Sequence, residues 1–187
     1  ETKNRVIAMI NNSNGNIIGI YKDKIFEDAV TKVREGSLSI DTARYDIAKN
    51  IRAFGVLLRA EQFTGCGCCA DGGTEGILTL FVLEGNTIKP ILQDLTISQW
   101  KSIQCNESDR SVERIDKKAS ITISVEKSST FGYYDLSIAA TSWLEFDFHK
   151  TNSKRKILRH IIHYDGNRYS IGGWNEAFSK WWEGSKY

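Results

Sequence analysis

Three glycine-containing turns, each lying between two runs of β-favouring residues, most strongly limit how this chain can fold. They are Asn14-Gly15, Glu84-Gly85-Asn86 and Asp165-Gly166-Asn167. Such sequences suit tight hairpins, because the central residues of a type I′ turn need positive φ angles. The run from Ile77 to Leu83 is apolar on both faces, as in a buried central strand. The sequence therefore predicts a sheet built largely from hairpins.

Three other segments have the apolar spacing of helices, with a 3.6-residue period. One ends near Gly36 and one starts after Ser39, and their apolar residues are Ile25, Phe26, Ala29, Val30 and Val33, then Ile40, Ala43, Ile47, Ala48 and Ile51. Residues 54–63 fit either a continuation of the second helix or a strand. The third segment runs from Trp174 to Trp182.

The predicted fold class is α+β, with residues 1–187 in a single domain. It has a single antiparallel β-sheet, two inserted N-terminal helices and a short C-terminal helix. The composition fits such a domain, since 41% of the residues are hydrophobic and 26% are charged.

Charge and hydropathy exclude several kinds of partner. A net charge of +2 gives no field that favours nucleic acid or an anionic membrane as the main partner. No apolar run approaches the roughly 18 residues of a membrane helix, so we expect no membrane insertion. The first residue, Glu1, suits a mature chain from which an export signal has been removed.

The cysteines, which help to define the cellular compartment, are Cys66, Cys68, Cys69 and Cys105. Zinc ribbons show two C-x2-C pairs and redox motifs open a helix, and this cluster does neither. An even cysteine count favours two disulfides and a periplasmic or secreted location. Cys68–Cys105 with Cys66–Cys69 is sterically acceptable, whereas Cys66–Cys105 leaves a strained vicinal pair; the sequence does not choose. We expect no metal and no cofactor.

The sequence contains no nucleophile elbow, metalloprotease motif, P-loop or dinucleotide fingerprint. His160 and His163 are three residues apart on a predicted strand, so they should point to opposite faces. Glu145 and Asp147 share one strand face, where solvated carboxylates commonly lie. The glycine-rich segment at residues 72–76 precedes a predicted strand, whereas a phosphate-binding loop precedes a helix. We therefore predict no catalytic residue.

Two segments resemble a pattern found in other proteins. Residues 131–138 read FGYYDLSI and residues 163–169 read HYDGNRY. They resemble the G-Y-x-D-L … Y-D-G-x-R-Y pattern of small exported bacterial envelope proteins, and the hairpin at residues 76–86 resembles a companion element. This group includes immunity proteins against type VI secretion effectors and lysozyme inhibitors. The pattern sets turns and packs tyrosines without fixing a catalytic residue, so the resemblance implies a binding role.

The resulting hypothesis is a periplasmic binding protein that inhibits an enzyme, namely an immunity protein blocking the active site of an envelope-degrading effector. The predicted contacts with this protein partner are Asp71, Gly72, Gly73, Thr130, Phe131, Tyr133, Trp143, Lys154 and Arg155. The alternatives are an envelope hydrolase using Cys or Ser with His160 or His163, and a glycan- or lipid-binding module. The sequence leaves open whether the protein forms a homodimer.

Overall fold

The computed structural model describes residues 1–27, 31–59, 61–62, 71–108, 111–146, 149–150 and 154–184. Within these residues the chain is mostly β-strand, and the helix α1 (Gly172–Gly184) comes last. The strands are β1 (Thr2–Ile10), β2 (Ile17–Phe26), β3 (Thr31–Lys32), β4 (Leu38–Ala48), β5 (Ile51–Leu58), β6 (Glu61–Gln62), β7 (Gly72–Thr74), β8 (Ile77–Glu84), β9 (Thr87–Thr96), β10 (Ser98–Ser108), β11 (Ser111–Thr130), β12 (Tyr133–Phe146), β13 (His149–Lys150) and β14 (Lys156–Ile162).

The longer strands form two sheets, so the prediction of a single antiparallel sheet is wrong. The first sheet has the order β1-β2-β9-β8-β5-β4. The second has the order β7-β10-β11-β12, and β13 and β14 both pair with the other side of β12. Neighbouring strands are antiparallel except β2 and β9, which meet in parallel at Ile20 and Thr87.

The three glycine turns join antiparallel segments, which confirms the hairpin prediction. Gly15, Gly85 and Gly166 have φ angles of 74°, 60° and 97°. The first two turns connect β1 to β2 and β8 to β9. The third lies inside the bridge between Tyr164 and Tyr169 that follows β14. β8 is a central strand with buried residues on both faces, also as predicted.

The predicted N-terminal helices are absent, and the α+β class is therefore wrong for this mostly β protein. In the first segment, Ile25 and Phe26 complete β2, and Thr31–Lys32 form β3. The predicted residues Ala29 and Val30 lie outside the described part of the chain.

The second predicted helix is the hairpin of β4 and β5, which also settles residues 54–58 as strand. The register of β4 shifts between Asp41 and Tyr45 and again between Asp46 and Ala48. Ile40 is 73% exposed, whereas Ile47 and Ala48 are buried. The apolar residues therefore do not share one buried face, as the helix prediction required.

One hydrophobic core joins the two sheets. Leu80 and Ile91 of the first sheet and Leu136 and Ile138 of the second are completely buried, and they belong to the same cluster. Each such side chain contributes roughly 1.5–3 kcal/mol by leaving water. The sheets therefore pack face to face as two layers around a shared interior.

A smaller cluster lies on the opposite face of the first sheet. Val56, Phe81 and Ile88 form its centre. Tyr21 of β2 covers Phe81, with ring centroids 5.0 Å apart. A Cβ atom at Gly19 would lie 2.6 Å from Cδ1 of Leu83, so a larger residue there would force the Leu83 side chain to move. The hairpin of β1 and β2 therefore folds over the sheet, and the first sheet curls.

The predicted C-terminal helix is confirmed as α1, and its buried Trp174 and Trp182 seal one end of the shared core. Lys117 of β11 donates to the backbone carbonyl of Trp182 and lies 4.3 Å from the centre of its ring. Burial, with help from Lys156 and Lys101, lowers the pKa of Lys117. In the described part of the chain, no helical segment has the length and apolar character needed to cross a membrane.

We expect Ile138→Ala to lower the free energy of unfolding by about 2–5 kcal/mol, because it leaves a cavity in the shared core. Ile157→Ala is the matched control, since Ile157 lies on neighbouring β14 and is 57% exposed; it should change stability by less than about 0.5 kcal/mol. Urea unfolding measures both variants. Similar losses in the two would contradict a core shared through β12.

Candidate functional site

The turn between β11 and β12 presents one aromatic side chain to solvent. Thr130 and Tyr133 form the last pair of the hairpin, so the turn consists of Phe131 and Gly132. Their φ angles are 51° and 81°. Positive φ costs a side-chain-bearing residue about 1–2 kcal/mol. Phe131 nevertheless holds this conformation with its side chain 74% exposed, so the turn carries strain that its surroundings must offset.

A buried carboxylate braces this turn from below. Asp135 is the third residue after Gly132, and its Oδ1 accepts a hydrogen bond of 2.8 Å from the hydroxyl of Thr130. The same oxygen lies 2.9 Å from Nδ1 of His163. Burial acts to raise the pKa of Asp135, but hydrogen bonds from Ser128, His163 and Thr130 outweigh it and lower the pKa overall. The ionised carboxylate of Asp135, on β12, therefore links Thr130 of β11 to His163, the residue that follows β14.

The two motif segments contact each other at further points beyond Asp135 and His163. The rings of Tyr133 and Tyr164 stack with centroids 4.1 Å apart. Tyr169 is buried, and its hydroxyl donates a 2.6 Å hydrogen bond to the carbonyl of Tyr134. The pairing of β12 with β14 brings the segments together. The motif residues thus form a frame that holds the turn at Phe131.

The turn at Asp165 is fixed in the same manner. The Oδ1 atom of Asp165 accepts hydrogen bonds of 2.8 Å from the backbone N–H groups of Asn167 and Arg168. These bonds, that of Arg168 first, lower the pKa of Asp165. The conformation of the segment is therefore set by local hydrogen bonding, as expected for aspartate in tight turns.

The histidines do not form a catalytic relay within the described residues. A Ser-His-Asp relay needs the hydroxyl and the carboxylate on different ring nitrogens. Here the hydroxyl of Thr130 and the carboxylate of Asp135 both approach Nδ1 of His163, at 3.4 and 2.9 Å. His160 lies near Trp174, with ring centroids 6.5 Å apart. This arrangement orients His163 and gives it no nucleophile.

Metal-binding and paired-carboxylate chemistry find no support in the described residues either. In that part of the chain, no group of three His, Cys, Asp or Glu residues could hold a metal ion. Glu145 lies 2.5 Å from the ammonium of Lys118 in an ion pair, and Asp147 lies outside the described residues.

The glycines predicted to form a binding loop lie in β7, at the edge of the second sheet. Gly72 and Gly73 pair with Lys101 and Trp100 of β10. A Cβ atom at Gly73 would lie 2.9 Å from Nε1 of Trp100, so the strand packs flat on the indole ring. The exposed Asp71 accepts a backbone hydrogen bond of 2.9 Å from Ser102. These residues thus have a clear role in packing.

The structure does not bring all the predicted contact residues together. Trp143 pairs with Lys118 and Tyr133 pairs with Thr130, and the two aromatic residues are ten positions apart on β12. At about 3.3 Å per residue, this separation corresponds to roughly 33 Å of strand. Gly72, Gly73, Trp143, Lys154 and Arg155 lie toward one end of the second sheet and Thr130, Phe131 and Tyr133 at the other.

Exposure also separates the predicted aromatic contacts. Tyr133 and Trp143 are half-buried, and Phe131 alone of the three is open to solvent. Sequence reasoning did not anticipate the contact between Asp135 and His163, although both residues fall in the quoted motif segments. The only sequence signal for this contact was the pattern of tyrosines and aspartates in the two segments. It indicated packing but not which residues would be in contact.

Cys105 lies on β10, is half-buried and forms a disulfide. Cys66, Cys68 and Cys69 lie outside the described residues, so the predicted pairings are not resolved. Comparisons with protein-family models, curated proteins and solved structures gave no match to the chain. The resemblance to exported envelope proteins therefore remains a prediction.

We expect Asp135→Asn to lower the free energy of unfolding at pH 7 by about 1–3 kcal/mol, because hydrogen bonds to a charged acceptor are lost. The folded pKa of Asp135 is lowered, so its contribution is complete above the unfolded pKa of about 3.9 and disappears as the pH falls through the folded pKa. The difference in the free energy of unfolding between wild type and variant should therefore decrease on acidification from pH 6 to pH 2.

Urea unfolding at a series of pH values measures this difference, and Asp71→Asn, at an exposed aspartate, is the control. A difference between wild type and Asp135→Asn that is constant over the whole pH range would contradict a role for the charge.

We expect Cys105→Ser to lower the free energy of unfolding by about 2–4 kcal/mol, because the disulfide restricts the unfolded chain. Chemical denaturation with and without a thiol reductant measures the effect. The reductant should destabilise wild type by at least as much as the substitution does. Equal stability of wild type and Cys105→Ser without reductant would show that this disulfide does not support the fold.

Proposed function

We propose that this protein binds an envelope-degrading enzyme and inhibits it by placing the turn between β11 and β12 in the active-site cleft. The observation that carries the proposal is Phe131, an exposed aromatic ring at the tip of a hairpin whose backbone is strained and braced. Aromatic residues on rigid supports are the usual anchors of protein interfaces. A rigid tip loses little conformational entropy when it binds, which favours tight inhibition.

The polar frame beneath the tip supports the same proposal. Thr130, Asp135 and His163 hold the two sides of the hairpin to β14 through contacts of 2.8 and 2.9 Å. The carboxylate of Asp135 is buried and already bound to Thr130 and His163, so Phe131 is the exposed side chain that the turn presents to a partner. An apolar ring of this kind fits an active-site cleft lined by apolar and aromatic residues.

The proposed location is the periplasm or the extracellular space. Cys105 is disulfide-bonded, and disulfides persist in oxidising compartments. The resemblance to small exported envelope proteins, with their immunity proteins and lysozyme inhibitors, points to the same place and to an enzyme of the cell wall or membrane as the target. We therefore favour an immunity protein against an envelope-degrading effector.

A glycan-binding module fits less well. Stacking on sugars needs a ring face open to solvent, and none of the five tryptophans is exposed: Trp100, Trp143 and Trp181 are half-buried, and Trp174 and Trp182 are buried. In the described part of the chain, the exposed phenylalanines Phe26, Phe131 and Phe146 lie singly at a turn or a strand end. This distribution favours a protein contact over a sugar-binding platform.

The proposal predicts that the wild-type protein reduces the hydrolysis of purified peptidoglycan or of phospholipid vesicles by effector-containing envelope extracts. Phe131→Ala should raise the concentration needed for half-inhibition about tenfold or more, because an interface anchor contributes about 2 kcal/mol or more. Its thermal stability should not fall, since the ring contributes little to the core.

The matched control is Phe146→Ala, an exposed phenylalanine near the other end of β12. It should inhibit as wild type does. No inhibition by wild type in either assay, or equal inhibition by Phe131→Ala and wild type, would refute the proposal. Hydrolysis by the purified protein itself, lost in His163→Ala, would instead establish the hydrolase alternative.

A further inference from the structure

The two outer strands of the first sheet face each other across an apolar groove. β1 and β4 lie at opposite ends of the strand order and do not pair with one another in the described part of the chain. Because the sheet curls, both line a groove of about 500 Å³ with Phe54 and Val56 between them. Its walls are residues 6–10 of β1 and residues 38–40 of β4. The volume lies in the range of ligand-binding sites.

The rims of the groove are unusually apolar for exposed strand edges. Val6 is 54% exposed and Ile40 is 73% exposed, and Leu38 and Ile10 are also open to solvent. Edge strands are normally protected by charged side chains, proline or bulges that hinder pairing with another chain. On β1 the residues that alternate with Lys3, Arg5, Ile7 and Met9 are all uncharged: Thr2, Asn4, Val6, Ala8 and Ile10.

The two charged side chains of β1 are both paired with carboxylates. Arg5 donates from Nε to Asp23 over 2.7 Å and is buried. Lys3, whose side chain is 46% exposed, lies 3.1 Å from the carboxylate of Glu27. Among the described residues, no strand pairs with the outer edge of β1, and residues 6–10 of this strand carry no charge. Such an edge accepts a further strand through main-chain hydrogen bonds.

The exposed charged residues of β2, the strand next to β1, are lysines. Lys22 and Lys24 of β2 are exposed, and they pair in register with Val6 and Asn4. The nearby carboxylate of Asp41 accepts a 2.6 Å hydrogen bond from Tyr45. A segment carrying carboxylates at its ends would thus meet opposite charge beside the apolar walls.

We propose that this groove is an acceptor site for one extended segment of a partner protein, with apolar side chains on alternate residues and acidic residues at its ends. The segment would pair with the free edge of β1 and place its apolar face over Phe54 and Val56. A second copy of this chain fits less well, because its β1 is already paired to β2. A second copy would therefore bring two joined strands to the edge beside β4, whereas a single segment brings only one. The proposal is independent of the turn at Phe131.

The test uses the whole protein and a labelled synthetic peptide, acetyl-Glu-Val-Thr-Val-Thr-Val-Glu-amide, in fluorescence anisotropy titrations. We expect binding that weakens about tenfold in Ile40→Lys, which places a charge in the groove. Added salt should also weaken it. A peptide with proline at its central valine should not bind, because it lacks a backbone N–H and the strand conformation. A peptide with lysine in place of glutamate should bind about tenfold more weakly.

Ile157→Lys is the matched control, since Ile157 is a similarly exposed isoleucine on an edge strand of the other sheet. It should bind the peptide as wild type does, and circular dichroism should show that both variants are folded. Absence of binding at about 1 mM peptide, or equal binding by Ile40→Lys, would overturn the proposal. A dimer in analytical ultracentrifugation that Val6→Lys dissociates would also overturn it, and would assign the surface to a second copy.

Discussion

The burial of β12 is the interaction on which the rest of the structure depends. Its Leu136, Ile138 and Ala140 enter the core that both sheets share. On its two sides β12 pairs with β11 and with β13 and β14. The strand therefore joins the two sheets, and its register with β14 fixes the position at which β14 ends. This register decides which residues of the two motif segments can meet.

The polar contacts near Phe131 follow from this arrangement. Asp135 is buried, and an unpaired carboxylate there would be strongly unfavourable. The hydroxyl of Thr130 and the imidazole of His163 satisfy it at 2.8 and 2.9 Å. These bonds close the base of the turn, which offsets the positive φ of Phe131. These contacts fix the shape of the turn and the orientation of His163.

Local turn chemistry was readable from the sequence, whereas the sheets and their assembly were not. Gly15, Gly85 and Gly166 predicted their turns because positive φ is a local requirement. In β4, Ile40 lies in solvent and Ile47 in the core, so their helical spacing did not reflect a shared face. The contact between Asp135 and His163 depends on the register of β12 and β14. Register depends on the partner strand, so the periodicity of one segment could not reveal it.

The edge strands β14 and β1 differ in the charge beside their exposed apolar residues, and this difference bears on the groove between β1 and β4. β14 carries Lys156 and Arg159 beside its exposed Ile157 and Ile161, which is the usual protection against pairing with another chain. β1 has equally exposed apolar residues, but its Arg5 is turned inward to Asp23. The fold thus protects one edge with charge and leaves residues 6–10 of the other uncharged beside a groove that β4 also lines. If a single partner strand covers this edge, as proposed above, its pairing with β1 takes the place of charge in hindering association with other chains.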